Sequence, residues 1–497
     1  MKRIIYVAFD QLHKDFGALK DADPKNDLIL FVESQRMLKS RSWHKQRIWF
    51  MISAVKHFVD NLKAIGFQVE YLKAQTTALG IKDSMKRNQI EHVFAAEPNS
   101  FRLKAELVEF VTFTPNDFFL TSNEDFGKWA ASQKNLLMEN FYRTQRKRFN
   151  ILMDGVDPVG GAWNFDKENR QPPPKNYDFP AYLNHQMDQI DLDTLNELKI
   201  SELQLWGNDP DLTWGTTRTA ALAQLNNFLE HHFANFGPYE DAMVSENWAF
   251  HHSLLSPYLN IGLLHPSEII SAVQIRYKKG GVPLASCEGF IRQVIGWREY
   301  IKGVYWFFGE KYREKNHFQL KRPLLPLFTD PNKTKMNCVS QQISDIENRA
   351  WVHHIPRLMI LSNLALLTGI EPLAFLNWMR EIFIDAADWV MVPNVIGMGM
   401  HSDGGQMMTK PYISGGSYIS KMSNYCKNCI YDPKVRVGEN ACPYTNLYWN
   451  FLAEHQDEFK KNHRMFQQMS GLKRLKDLAE TRADSERILA GLAKGEI

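Results

Sequence analysis

Cysteine spacing is the feature of this sequence that most directly indicates chemistry. Cys426, Cys429 and Cys442, three of the five cysteines, form a C-x2-C-x12-C run, and Pro443 follows the last of them. A C-x2-C pair on a turn presents two thiolates to one metal centre, and a cysteine followed by proline is typical of iron–sulfur ligation. Because the start MKRIIYVAFDQL lacks a secretory leader, we expect a cytoplasmic protein, in which a metal is favoured over a disulfide.

A tetrahedral metal site or a cubane cluster needs a fourth ligand. Cys338, in TKMNCVS, is the natural candidate, and Cys287 is its rival. Cys287 lies in the apolar stretch SCEGFIRQVIGW, where a small buried thiol is an ordinary core residue. Zinc fits the cysteine count as well as an iron–sulfur cluster does, and unrelated core cysteines are a third interpretation.

A short basic run is the second chemical signal. Residues Tyr142–Phe149 hold four cations within six positions, with aromatic residues on both sides, which suits phosphate contacts and base stacking. A solvated helix face is the simpler explanation of such a run. The formal net charge of +3 does not by itself indicate a charged partner, and no apolar run is long enough to span a bilayer.

The elements that must position these residues follow two patterns. The first 120 residues alternate short β-rich runs with amphipathic stretches, which predicts a doubly wound parallel sheet. The predicted strands are Ile4–Phe9, Leu28–Val32, Gln68–Leu72 and His92–Ala96, and the predicted helices are Trp43–Ile65 and Arg102–Val111. No GxGxxG or P-loop motif follows the first strand, so an ordinary dinucleotide site is not indicated.

A long irregular connection separates this α/β part from an all-α part. Gly and Pro clusters between residues 150 and 190 predict loop structure, and helical periodicity dominates after Asp211. We therefore expect an α/β domain over residues 1–125, a linker over 126–210 and a helical domain over 211–497. The predicted helices of the last part are Thr219–Phe233, Pro266–Tyr277, Glu288–Phe307 and Leu358–Leu367.

Several segments resemble the photolyase and cryptochrome superfamily. They are AFDQL near the start, HSLLSPYL at 252–259, IGWREY at 295–300, HHIPRLM, DWVMVPNVIGMGM and KPYISGGSYISKM. With Cys338, Cys426, Cys429 and Cys442, the chain is similar to the iron–sulfur bacterial branch of that family over its whole length. The resemblance implies FAD in the helical domain, a 4Fe-4S cluster on the four cysteines, and light-driven repair of pyrimidine (6-4) photoproducts in UV-damaged DNA by a monomer.

The resemblance also implies roles for individual residues. The residues that match the FAD site of the family are Tyr239, Ser253, Leu254, Leu255, Ser256, Arg357, Asp385 and Asn394. His354 matches the histidine that gives a proton to the lesion, His353 is expected to orient it, and Tyr412 resembles a tyrosine of the lesion pocket. A proton must accompany the electron when an oxygen is returned between two bases, and histidine suits that task.

Two further sets complete the expectations. Trp378 matches a tryptophan that carries electrons to FAD, and Trp351 or Trp389 extends the route, although Phe328–Pro331 lacks a tryptophan that relatives carry. The antenna of the branch, 6,7-dimethyl-8-ribityllumazine, is expected at the carboxyl ends of strands one and two. The residues expected there are Phe9, Asp10, Gln11 and Glu33.

Two other functions compete with repair. A cryptochrome-like blue-light receptor would bind FAD without repairing DNA, and the histidine pair with Tyr412 argues against it because a receptor needs no proton donor at a lesion. A zinc-stabilised nucleic-acid-binding module would contain no flavin.

Overall fold

The computed structural model describes residues 2–497. Five parallel strands form one sheet, and the first strand of the chain is at its centre. The next two strands are added on one side of it and the last two on the other. In spatial order the strands are Gln68–Ala74, Asp27–Ser34, Arg3–Tyr6, Val93–Ala96 and Thr112–Thr114. Two pairs of two-residue strands lie outside it, Trp43–His44 with Leu205–Trp206 and Met153–Asp154 with Asp157–Pro158.

Apolar side chains alternate between the two faces of this sheet. Ile5, Ile29 and Phe31 pack into a core that also contains residues of the helical part, while Ile4 and Leu30 pack into a second core on the other face. Helices therefore cover both faces, as buried parallel strands require. This confirms the predicted fold class, a doubly wound α/β part followed by a mostly helical part.

Helices dominate the rest of the chain, and among the described residues no strand occurs after Trp206. The helices of eight or more residues are Lys45–Ala64, Thr77–Asn88, Asn123–Ala131, Met138–Phe149, Gln189–Lys199, Arg218–Asn227, Pro266–Lys278, Leu284–Ile291, Glu299–Phe308, Asn337–Arg349, Pro372–Ile382, Pro443–Glu454, Phe466–Arg474 and Leu478–Lys494. The shorter helices are Gln35–Leu38, Phe101–Leu107, Phe233–Phe236, Ser256–Asn260, Asn363–Leu367, Asp388–Val392, Gly416–Met422 and Gln456–Phe459. Across residues 2–497 no helix combines the length and apolar character needed to cross a membrane.

Wider helical turns, with hydrogen bonds between residues five apart, interrupt several of these helices. They are Phe228–His232, Arg292–Arg298, Pro356–Ser362 and Pro393–Gly399. Such π-helical turns are rare and often occur at functional sites. The last three of them contribute residues to one large cavity.

The structure differs locally from the sequence-based expectations. The helix predicted from Trp43 begins at Lys45, because Trp43–His44 pairs with Leu205–Trp206 instead. Thr112–Thr114 was not predicted, since three residues are too few for a period-two pattern. The expected boundary at residue 125 falls inside the helix Asn123–Ala131.

Candidate functional site

A cavity of about 930 Å³ lies within the helical part and is lined by most of the residues that were expected to hold FAD or to contact the lesion. Three of the π-helical turns supply parts of its wall, including Arg292, Leu358 and Asn394. The predicted site residues that line it are Ser253, Leu255, Ser256, His354, Asp385, Asn394 and Tyr412. These residues come from five separate segments of the sequence, so only the tertiary structure brings them together.

An ion pair organises one side of the cavity. The guanidinium of Arg357 donates to both carboxylate oxygens of Asp385, at 2.9 and 3.1 Å. Ser256 also donates its hydroxyl to Asp385, at 2.6 Å. Asp385 therefore accepts three charge-assisted or hydroxyl hydrogen bonds, which hold its carboxylate in one orientation. Arg357 itself lies behind Asp385 and does not line the cavity.

Arg47 holds the segment that carries Asp385. Its guanidinium donates to the backbone carbonyls of Arg380, Phe383 and Ala386, although it belongs to the helix Lys45–Ala64 of the α/β part. Burial lowers the pKa of Arg47 to about 10, which leaves it charged at neutral pH. This one cation thus ties the sheet-bearing part of the chain to the cavity.

The loop before the helix Ser256–Asn260 has an uncommon backbone conformation. Leu254 has φ of +58°, in the left-handed region that β-carbon-bearing residues rarely adopt. This conformation buries the Leu254 side chain and leaves Ser253 and Leu255 to line the cavity. Tyr239 does not line it, and packs instead among Tyr177, Phe250 and His251.

The two adjacent histidines have different positions. The exposed side chain of His354 faces the cavity. Protein atoms surround it on its other sides. His353 is buried and its ring stacks on that of His252, with centroids 4.1 Å apart. Burial and the charges of Arg357 and Arg292 lower the pKa of His354 to about 4. Both rings are therefore neutral at pH 7 in the protein alone.

Acidic side chains on another wall hold their protons unusually well. Burial raises the pKa of Glu240 to about 8 and that of Asp241 to about 6. Glu240 accepts a hydrogen bond from Gln293 at 2.5 Å. Since Glu240 is largely neutral at pH 7, the cations of the cavity outweigh its ionised acids. The exposed cations at its rim are Arg170, Lys421 and Arg464.

Two of the predicted electron-transfer tryptophans lie outside this cavity. Trp378 is buried against Phe328 and Phe375, and its indole N–H donates to the Phe328 carbonyl at 2.9 Å. Trp351 is buried against Trp248, with its N–H 3.4 Å from the Ser256 hydroxyl. Trp389 does line the cavity, and its buried indole N–H has no hydrogen-bond partner.

Four of the cysteines form a second site, in a cavity separate from the large one. Cys338, Cys426, Cys429 and Cys442 line one small apolar cavity, with Tyr425, Tyr431 and Tyr444 around them. None of the cysteines is in a disulfide. Cys287 lies in a different core, where burial raises the pKa of its thiol to about 12. The structure therefore brings four cysteines together and leaves their rival apart.

Burial disfavours the thiolate form of three of these four cysteines. Burial raises the pKa of Cys338 and of Cys442, and raises that of Cys426 to about 11. Metal ions bind the thiolate form, so an ion in this cavity would supply the charge that burial denies the sulfurs. Gly416 permits the close approach, since a β-carbon there would lie 2.7 Å from the Cys442 sulfur.

The expected antenna residues share the carboxyl edge of the sheet but not one cavity. Glu33 lines a cavity of about 260 Å³ with Lys73 and Gln35, and accepts a hydrogen bond from Tyr71 at 2.5 Å. Gln11 is buried and donates to the Glu97 carbonyl at 3.0 Å. Asp10 accepts from Asn99 at 3.1 Å, and Phe9 stacks on Tyr71.

The basic run is not a continuous surface patch. Arg146 is fully buried and donates to the carbonyls of Ile151, Leu152 and Trp163. The other three cations of the run are exposed, and two of them are paired with acids. A helix places every fourth residue on the same face, which is why Arg146 follows Tyr142 into the core.

The sequence is similar over almost its whole length to that of a known protein. The chain is 39% identical over 480 residues to the (6-4) photolyase of Agrobacterium fabrum, and the alignment covers 94% of each chain. The chain belongs to the photolyase and cryptochrome family. Residues 5–214 also match the family model described as deoxyribodipyrimidine photo-lyase-related protein.

Solved structures of photolyase–cryptochrome proteins share the fold. A bacterial class III photolyase from Agrobacterium tumefaciens superposes with a TM-score of 0.56 at 14% identity, over 79% of this chain and 78% of that one. A cryptochrome from Synechocystis gives a TM-score of 0.55 at 14% identity, over 92% and 93% of the two chains. The family expectation from the sequence motifs is thus confirmed, and membership makes FAD the expected cofactor.

Several residues that line the large cavity are not predicted by the sequence. Asn169 and Asp166 come from the expected linker, where composition indicated only loop structure. Arg298 belongs to the IGWREY motif at 295–300, and that motif is the sequence feature that points to it. Nothing in the sequence pointed to Arg47, because its partners are backbone carbonyls more than 300 residues away.

Proposed function

We propose that the protein repairs pyrimidine (6-4) photoproducts in UV-damaged DNA in a light-dependent reaction with FAD. The observation that carries this proposal is the cavity that His354 and Tyr412 share with Asp385, Ser256 and Asn394. Sequence similarity also supports the proposal, since the chain is 39% identical to a (6-4) photolyase over 94% of its length. The monomeric state and the cytoplasmic location stay predictions of the sequence.

The cavity fits a large, partly anionic cofactor such as FAD. Its volume of about 930 Å³ lies within the range of about 300–1,000 Å³ for cofactor and ligand pockets. Arg298 and Trp389 line it, and the buried Nε of Arg298 and indole N–H of Trp389 have no hydrogen-bond partner; a buried donor left unpaired costs about 1–3 kcal/mol. A cofactor rich in acceptors would satisfy both donors.

The residues that we propose to hold FAD act in two groups. The loop of Ser253, Leu254, Leu255 and Ser256 would supply hydroxyls and backbone N–H groups for the phosphates. Tyr239 does not line the cavity and would support this loop through its packing on Phe250 and His251. Asp385 and Asn394 line the cavity and would hold the redox-active ring, and Arg357 would act through its ion pair with Asp385. When bound and reduced, FAD supplies an electron to the lesion under light.

His354 is the proposed proton donor to the lesion. Its imidazole is exposed to the cavity. The stacked rings of His252 and His353 pack next to it. The pKa of about 4 in the protein alone leaves His354 neutral, and bound phosphate anions would raise that pKa toward neutrality. We therefore propose that His354 takes up its donatable proton as the anionic substrate enters. Tyr412, half-buried in the same cavity, would contact the lesion.

The rim of the cavity suits a DNA backbone. Arg170, Lys421 and Arg464 are exposed there, and Lys410 lies beside Tyr412 in the sequence. Cations at this position attract phosphates, and a damaged dinucleotide stacks poorly, so turning it out of the duplex costs only a few kcal/mol. This favours damaged DNA, because turning an undamaged dinucleotide out of the duplex costs more free energy.

We further propose a 4Fe-4S cluster on Cys338, Cys426, Cys429 and Cys442. The four sulfurs line one apolar cavity, which satisfies the ligand count of a cubane and also that of zinc. Similarity to the iron–sulfur branch favours the cluster. For the lumazine antenna we propose the cavity of Glu33 and Lys73, whose volume of about 260 Å³ is near the lower limit of about 300 Å³ for ligand pockets.

Repair of an oligonucleotide with a single (6-4) photoproduct tests the proposed function. Wild type, His354→Ala and the control His401→Phe, a buried histidine outside the cavity lining, are compared under blue light and in darkness. We expect light-dependent repair by wild type and control, and at least about a hundredfold slower repair by His354→Ala, the usual loss with a general acid. A flavin-loaded wild type without repair would instead support the photoreceptor.

A further inference from the structure

Three histidine side chains meet next to the cavity, and two of them have unsatisfied nitrogen atoms. His252 and His353 are buried, and neither Nε2 of His252 nor Nδ1 of His353 has a hydrogen-bond partner. One ligand nitrogen from each of His252, His353 and His354 lies within 4.8 Å of the other two. Leaving two buried nitrogens unpaired costs free energy, which a bound group would recover.

We propose that His252, His353 and His354 form a binding site for a divalent transition-metal ion of the zinc class. Three imidazoles with an open fourth position are an established ligand set for zinc, and imidazole also suits cobalt, nickel and copper. The site lies between a buried histidine pair and a histidine exposed to the cavity, so an ion has a path of entry.

The charge state of the three rings agrees with metal binding. Burial holds the pKa of His252 and of His353 well below the ordinary value, and lowers that of His354 to about 4. Metal ions bind only the neutral ring, so no proton has to be displaced at pH 7. The cation Arg357 is nearby, and Asp385 compensates its charge.

Binding requires a small rearrangement of the rings. Zinc–nitrogen bonds of about 2.0–2.1 Å in tetrahedral geometry bring nitrogens to about 3.4 Å from one another. The rings of His252 and His353 are within 20° of parallel, so one of them must rotate before their lone pairs converge. His354 meets His252 at 74° and faces open space, which lets it complete the set by a side-chain rotation.

Occupation of this site has a consequence that rests on the proposed function. An ion bound to His354 takes the lone pair that must accept a proton before His354 can donate one to the lesion. Zinc would therefore inhibit repair at the chemical step rather than by blocking DNA binding. The site would make repair sensitive to the concentration of free transition metal.

Cobalt titration of the tag-free, flavin-loaded protein in darkness tests the site without DNA. The wild type, His252→Phe and the control His401→Phe are compared, and His252→Gln serves if the phenylalanine variant fails to fold. We expect one cobalt ion with the visible absorption of nitrogen ligation, and at least tenfold weaker binding in the His252 variant alone. Equal affinities, a dissociation constant above about 1 mM, or thiolate-to-cobalt charge-transfer bands would overturn the proposal.

A repair assay with zinc separates this inference from the proposed function. Within each variant the rate with zinc is divided by the rate without zinc, so that differences in basal rate cancel. We expect at least tenfold inhibition of wild type and His401→Phe, and a ratio near one for the His252 variant. A wild type that fails to repair without zinc would contradict the proposed function, while the cobalt titration would still decide the metal site.

Discussion

Arg357 and Asp385 form a two-point ion pair at the wall of the large cavity, with nitrogen–oxygen distances of 2.9 and 3.1 Å. Their side chains are only 15% and 5% exposed, so the pair is largely removed from water. Neither residue could be replaced without leaving the other charge in a poorly solvated place, and breaking such pairs costs about 3–5 kcal/mol.

Asp385→Asn should therefore lower both stability and FAD content. The amide keeps the size of the side chain but leaves the Arg357 charge uncompensated, and we expect a loss of about 3 kcal/mol in the free energy of unfolding. Denaturant unfolding and the flavin-to-protein absorbance ratio measure the two effects. Asp388→Asn is the matched control, because Asp388 pairs with Arg380 at 2.5 Å and similar exposure without lining the cavity. Equal FAD content in the two variants would contradict a cofactor role for Asp385.

Cys429→Ala should yield little soluble protein with FAD and iron. Cys338 is distant in sequence from the other three ligands, so a cluster would link the helix Asn337–Arg349 to the segment before Pro443–Glu454. Loss of one ligand removes that link, and metal binding energy in such sites is folding energy. Iron, sulfide and zinc analysis of the purified protein identifies the metal. Cys287→Ala is expected to keep its metal, and a well-folded, flavin-loaded Cys429→Ala would argue against a structural role of the site.

Gly416→Ala should disturb the same site by crowding. Its new methyl group would lie 2.7 Å from the Cys442 sulfur and 2.9 Å from the Thr445 hydroxyl oxygen, distances at which atoms must shift. We expect lower iron content and a loss of about 1–3 kcal/mol from overpacking. Gly127→Ala is the control, since it adds a methyl group in open space within a helix and should stabilise by about 0.5–1 kcal/mol. If both variants keep full iron content, the close approach at Gly416 is not needed for the cluster.

Glu240→Gln should make stability less dependent on pH. The folded protein keeps the Glu240 proton up to about pH 8, because burial raises a pKa whose ordinary value is 4.5. The unfolded chain loses that proton near pH 4.5, so wild-type stability falls as the pH rises through this window and the fall ends above pH 8.

Denaturant unfolding between pH 6 and 8 measures this difference. The contribution of one proton is at most about 1.4 kcal/mol per pH unit, and the glutamine variant should lack it. The exposed Glu230, changed to glutamine, is the control and should retain the wild-type slope. Parallel slopes for wild type and Glu240→Gln would show that the carboxyl is ionised in the folded protein.

The sequence alone determined the fold class, the family and the set of cysteines from which the metal site is drawn. Period-two and helical patterns are local properties, and the matches at HSLLSPYL and IGWREY require no coordinates. The sequence favoured Cys338 over Cys287 only through the apolar surroundings of Cys287 and the family resemblance, because the two differ in three-dimensional position rather than in residue type. Only the tertiary structure places Cys338 beside the C-x2-C pair and Cys287 in another core.

Tertiary structure also decided how the cavity is built and charged. Arg47 reaches carbonyls near Asp385 from the other end of the chain, and His252 stacks on His353 across about a hundred residues. The raised pKa of Glu240 and the lowered pKa of His354 follow from burial, which no local pattern specifies. Contacts between residues distant in sequence depend on how whole helices and strands pack. Burial by that packing then sets the protonation state of the enclosed side chains.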